Sequence, residues 1–317
     1  MAARETDAAQ MTTTELVRRS LAGGGVNLRS LAFEGVLTVA LLVALGILAW
    51  LLAVIAIGGL PVFFERGLDF LTSDLSSNPD RAGVAQGIAG SLMLMGFVVI
   101  VSFPLGIGAA IYLEEYARDT WSTRLINTIV RNLAGVPSIV YGLLGLAVFV
   151  VALRELTGPG NAQGQSLISG GLTMAILVLP IVIITAAEAL RAVPASIREA
   201  GFGVGATRWE VVRSHVVPYA APGILTGTIL AVARAFGETA PLIMVGAVVG
   251  GLSTSYEGVI ETIQGRYTAL PTTVYDWARK PADFAANTYA AIIVLLVVLL
   301  AVNALAIVLR NRLERRW

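Results

Sequence analysis

Long apolar stretches and short polar ones alternate along the chain, on a scale much longer than one face of a soluble helix. Runs free of charge occupy 35–64, 82–113, 132–153, 156–187, 214–233 and 284–309, and a shorter one, 239–256, follows the fifth after five residues. A helix needs about 20 mostly apolar residues to cross the hydrocarbon of a bilayer, and each of the six long runs reaches that length. Arg234 and Glu238 are the only charges between the fifth run and the short one, too little polarity for a loop between independent spans. The pattern therefore predicts one long, interrupted helix over 218–249. The fold class expected is an all-α integral membrane protein with six transmembrane helices over 35–310, a polar tail at 1–34 and a short tail at 311–317.

Composition agrees. Hydrophobic residues make up 56% and charged residues 14%, against roughly 45–50% and 25% in soluble domains, which sets aside disordered, nucleic-acid-binding and ordinary cytosolic classes. Cysteine is absent and His215 is the single histidine, so thiol chemistry, Cys-ligated metals and HExxH sites are excluded. The one lysine, Lys280, follows Arg279, so no phosphate-binding loop of the Gly-Lys-Ser/Thr type exists. No catalytic residue, metal site or cofactor is expected in this chain.

Basic residues are retained on the cytoplasmic side of a membrane. With the N-terminus inside, 14 of the 22 fall in inner segments and 6 in outer loops, leaving Arg131 and Arg234 within spans. Both termini are thus expected to be cytoplasmic. The first apolar run begins after residue 34 and exceeds the 7–15 residues of a signal-peptide core, so it reads as a span. The outer loops 65–81 and 250–283 are long enough to fold against a partner, or are plain solvated connectors.

The inner segment 188–217 carries tight turn chemistry. Pro194 suits the first turn of a helix running to about Ala200, and Gly201, Gly203 and Gly205 interrupt it. Thr207 and Glu210 form a capping box that opens a second helix toward Pro218. The expected helix–turn–helix would present Arg198, Glu199, Arg208 and Arg213 outside the membrane, as a docking element rather than a connector.

This segment resembles the EAA loop of ABC-importer permeases, which reads Glu-Ala-Ala, three residues, Gly, nine residues, Ile, one residue, Leu-Pro. Here Glu199-Ala200-Gly201 is followed at the same spacing by Gly205 and by His215-Val216-Val217-Pro218. Gly201 replaces the second alanine and would loosen the turn; His215 and Val217 replace Ile and Leu. Three further segments, Pro104–Glu115, Leu133–Gly142 and Ala233–Leu242, the last reading Ala-Arg-Ala-Phe-Gly-Glu-Thr-Ala-Pro-Leu, resemble the PstA family of permease subunits of phosphate-specific importers. The resemblance covers about 35–310. It implies a type I ABC-importer permease (MetI-like) fold and half of a translocation pathway. It further implies a homologous PstC-like permease, two PstB-like ATPase subunits that hold ATP and Mg, and an extracytoplasmic PstS-like phosphate-binding protein as partners. Arg198, Glu199, Ala200, Gly201 and Gly205 would then form the ATPase-coupling loop.

Arg234 and Glu238, four residues apart, stack on one helix face. Extending that face backward gives Ala231, Gly227 and Gly223, all small, which would leave room beside it as the wall of a cleft does. A guanidinium offers a fork of donors matched to phosphate oxygens and stays charged at any relevant pH. Arg234 could therefore meet an anion in transit, with Glu238 holding it and Thr239 beside it; alternatively the pair only fixes packing. Arg131 either snorkels to the inner surface or lines an inner vestibule. Readings that compete with phosphate import are an importer for another oxyanion or solute, and a transporter or channel working without an ATPase.

Overall fold

The computed structural model describes residues 28–158, 164–247 and 259–314. Of the tails expected over 1–34 and 311–317, residues 28–34 and 311–314 instead extend the first and last helices, and residues 1–27 and 315–317 lie outside the described residues, as do 248–258 of the second outer loop. The chain divides into two compact units, Met1–Val54 and Ile55–Trp317. Regular structure among the described residues is helical throughout. In chain order the helices are α1 (Leu28–Arg66), α2 (Asp69–Thr72), α3 (Ala85–Tyr116), α4 (Trp121–Ala134), α5 (Ser138–Ala152), α6 (Arg154–Thr157) and α7 (Leu167–Arg191). They continue as α8 (Ala195–Gly203), α9 (Arg208–Phe236), α10 (Ala240–Met244), α11 (Val259–Gln264), α12 (Leu270–Trp277) and α13 (Ala285–Glu314).

Five helices, α1, α3, α7, α9 and α13, are long and apolar enough to span a membrane, and α4 with α5 would supply a sixth crossing. That sixth element departs from the straight span expected over 132–153, because α4 and α5 meet at 102°. Gly135 caps α4, and Pro137 excludes Val136 from helical geometry. Tyr141 braces the bend by donating its hydroxyl to the Leu133 carbonyl at 2.8 Å. Before the bend, α4 places Arg124, Thr128 and Arg131 along one side and Leu125, Ile126, Ile129 and Leu133 along the other, with no residue buried. Such a helix suits the plane of a membrane interface better than its core.

The fifth run also differs. Helix α9 begins at Arg208 rather than near 218, so the second helix of the expected helix–turn–helix is continuous with the membrane helix. A π-turn over Val212–Val216 sits just ahead of Pro218, where a regular helix would lose a donor. At the other end α9 stops at Phe236 and the chain restarts as α10, so the segment to Met244 is two helices with a break at 237–239.

Within the second unit the central packing is α3 against α7, with α9 laid on α7 and α13 on α9. Leu94, Val98, Met174, Leu177, Val178 and Val182 are buried between the first two. Without a hydrophobic force between helices in lipid, close approach depends on small residues. Gly142 of α5 shows the limit: a Cβ there would lie 2.7 Å from the Pro241 Cα, a backbone atom that cannot step aside. Gly142→Ala is expected to destabilise by about 1–3 kcal/mol, which thermal inactivation of the purified assembly would register as a fall of several degrees.

The start of α3 and α13 is capped by Phe70, Trp277 and Phe284, all buried, with Phe63 edge-on to Phe70. Arg66 lies over the Phe70 ring and donates to the Ala82 carbonyl at 2.8 Å, while Asn287 donates to the Pro79 carbonyl at 2.8 Å. The segments 65–81 and 259–283 are therefore folded onto the helix ends, and plain connectors they are not.

Candidate translocation and coupling sites

Gly237 caps α9, and its N–H returns to the Arg234 carbonyl at 3.2 Å. Glu238 leaves the helix there, yet its Oε1 lies 3.5 Å from Arg234 Nε. The pair thus straddles the helix end instead of lying on one continuous face. Glu238 is largely covered, with 19% of its side chain exposed, against 56% for Arg234. Thr239 is half-buried and precedes α10, whose Pro241 packs on Gly142. Arg234 continues an exposed stripe of α9 that includes Tyr219, Leu230 and Gly237. A charge at such a position is costly against lipid, about 2.5–3.5 kcal/mol on insertion scales, so the stripe has to face protein or water.

The small-residue face behaves differently from the expectation. Ala231 is buried, Gly227 lies against Thr185, and a Cβ on Gly223 would meet the Ala189 Cβ at 2.9 Å. Ala231 and Gly227 are buried in the seam between α9 and α7, while Gly223, close as it comes to Ala189, is exposed on the stripe that carries Arg234. A groove of about 370 Å³ does open between α3, α9 and α13, but its walls are apolar, Phe103, Leu225 and Val302 among them, and Arg234 is not one of them. Arg131 is exposed in the last turn of α4, and among the described residues no ion pair or hydrogen bond joins it to Arg234 or Glu238.

At the other end of α9 the capping box is formed. Thr207 N–H and Oγ1 both reach Glu210 Oε2 at 2.8 Å, and the Glu210 N–H returns to Thr207 Oγ1 at 3.4 Å. Gly205 has φ +83°, the left-handed region that favours glycine, and turns the chain from α8 into α9. Gly201 is buried, and a Cβ there would stand 2.7 Å from Val211 Cγ2. The replacement of alanine at this position thus serves close packing and does not loosen the turn. Glu199, Ala200 and Gly205 are exposed as expected, and so are Arg208 and Arg213. Arg198 is not: it turns inward to Glu115, 2.6 Å away. Residues the sequence reading passed over are Phe202 and Val204, 49% and 85% exposed, which with Trp209 give this tip an apolar surface. Their signal was apolar side chains between the glycines of a turn, where a solvated connector has no use for them.

The family model for the binding-protein-dependent transport system inner membrane component matches residues 102–317. The Bacillus subtilis probable ABC transporter permease protein YqgH is 35% identical over 198 residues, 60% of this chain and 63% of the relative. The match therefore spans less than two thirds of that relative's length. The Yersinia pestis phosphate transport system permease protein PstA is 33% identical over 251 residues, 76% of this chain and 79% of the relative. Among solved structures, a bacterial alginate ABC transporter in complex with its alginate-pentasaccharide-bound periplasmic protein contains a chain similar in fold. The TM-score is 0.64 at 16% identity, over 91% of this chain and 95% of the other. The covered seam of α7 and α9, the broken α9–α10 segment and the α8 tip are thus features of a multi-pass permease, and the chain belongs to the binding-protein-dependent transport system inner membrane component family.

Proposed function

We propose that this chain is a PstA-type permease subunit of an ATP-driven importer of inorganic phosphate and forms half of its translocation pathway. The observation that carries the reading is Arg234: a permanent cation, 56% exposed, on the unpacked stripe of an apolar helix and steadied by Glu238. A second permease of PstC type facing that stripe would enclose a hydrated route between the two chains, with the exposed Arg234 side chain on its wall. Glu238 would offset part of the positive charge, so that phosphate is met but not trapped. Thr239 adds a hydroxyl at the same break, and Arg131 a cation at the mouth of the route.

The α8 tip, with Glu199, Ala200, Phe202 and Gly205, would seat in an ATPase subunit of PstB type that carries ATP and Mg. A PstS-type phosphate-binding protein would dock on the opposite face, where both segments 65–81 and 259–283 are folded. This arrangement puts both termini in the cytoplasm, in line with the excess of arginine on that side. Phosphate is supported by the Gly-Glu-Thr-Ala-Pro-Leu segment and by relatives named for phosphate transport. The test is uptake of labelled phosphate by the reconstituted complex in competition with sulfate and molybdate. Phosphate alone should compete at equal concentration; equal competition by sulfate would move the substrate to another oxyanion.

A further inference from the structure

Two consecutive acids at the end of α3 meet two arginines. Glu114 Oε2 accepts from Arg191 Nε at 2.8 Å, at the last residue of α7. Glu115 is 7% exposed and accepts from Arg198 of α8 through both oxygens, at 2.6 and 3.3 Å. Arg198 also donates to the Val193 carbonyl at 2.9 Å and the Leu190 carbonyl at 3.0 Å, the last carbonyls where α7 ends. One guanidinium therefore joins three elements: the π-turn Tyr112–Tyr116 of α3, the end of α7, and α8. Beside it the Arg208 guanidinium lies over the Tyr116 ring, 5.4 Å from its centroid, and ties the start of α9 to the same turn.

We infer that Arg198 and Glu115 are positioning residues that lock α8 to the inner ends of α3 and α7, so that a push on the α8 tip moves the membrane helices rather than tilting α8 alone. This rests on the reading of α8 as the element an ATPase subunit engages. The chain joins α8 to α7 only through 192–194, a tether that would bend under load. With the guanidinium holding Glu115 and two carbonyls, bending breaks four hydrogen bonds and uncovers a carboxylate that is nearly buried. Removing one member of such a pair leaves the other charge uncompensated, which is what makes the contact stiff. Helix α9 needs no such lock, being continuous with its own cytoplasmic turn. One displacement thereby reaches α3, α7 and α9 together.

This chain holds no cysteine, so labels can be placed on it at chosen sites once the partner subunits' cysteines are replaced. Spin labels at Ser196→Cys on α8 and Tyr112→Cys on α3, both exposed positions, are placed in the full complex in lipid nanodiscs. Their separation should stay the same within about 2 Å between nucleotide-free and ATP-trapped states, and shift or broaden by about 5 Å in Glu115→Gln and in Arg198→Lys. In proteoliposomes the same two variants should carry at least about five-fold less phosphate per ATP hydrolysed, with the ATPase still bound. A separation that changes with nucleotide in the unmodified pairing, or variants that lose uptake and hydrolysis in the same proportion, would overturn the lock. If the parent complex takes up no phosphate, the substrate reading fails while the label separation still decides the lock; if it holds no ATPase, the docking reading fails instead.

Discussion

Arg234→Ala should abolish phosphate uptake by the reconstituted complex while the permease pair still assembles. A hydrogen bond to a charged group is worth about 1.5–3 kcal/mol, a factor of about 10 to 150 in a transport rate that depends on it. The loss should exceed that range, because Glu238 remains and turns an attractive site into a repulsive one. The double variant Arg234→Ala with Glu238→Gln should recover a little of the uptake, and Arg234→Lys should lie between, keeping the charge without the fork of donors. Labelled-phosphate uptake alongside size-exclusion profiles separates the cases. If Arg234→Ala instead breaks the complex apart, the pair is a packing feature and the pathway lies elsewhere.

The second large effect is expected at the α8 tip. Gly205 holds φ +83°, and a β-branched residue there pays at least the about 1–2 kcal/mol of left-handed strain. Gly205→Val should therefore distort the turn that presents Phe202 and Val204, and the ATPase subunit should be lost from the purified complex. Phe202→Glu should do the same without touching the backbone, by placing a charge at an exposed apolar contact. Uptake should fall to background in both, with the permease pair still recovered from the membrane. Full retention of the ATPase in Phe202→Glu would remove the docking assignment.

Much of this architecture is legible in the sequence because a bilayer imposes one coarse rule, and five of the six apolar runs obey it as single long helices. The capping box of Thr207 and Glu210 is local chemistry and reads well from four residues; of the three glycines expected to break the helix after Ala200, only Gly205 makes the turn, while Gly201 and Gly203 stay within α8. What length and hydropathy miss is direction. Gly135-Val136-Pro137 bends the third run by 102°, a signal present in the sequence but outvoted by an apolar count that ignores where a helix must stop. The face of Gly223, Gly227 and Ala231 was ambiguous for a different reason: small residues permit either a gap or a close approach, and only the identity of the neighbour, Thr185 and Ala189 on α7, decides. Arg198 could not be placed from its own helix. Its partner Glu115 is 83 residues away in sequence, and no periodicity within α8 distinguishes an arginine that points inward from one that points to solvent.

The central claim is that water and anion run beside Arg234, along the exposed stripe of α9. Leu230, one turn earlier on that stripe and 64% exposed, offers a direct probe that leaves the arginine in place. In the assembled importer, Leu230→Cys should react with a charged, membrane-impermeant thiol reagent in at least one state of the ATP cycle, and saturating phosphate should slow that reaction. No reaction in any state, with the complex intact and transporting, would put hydrocarbon where the account requires water.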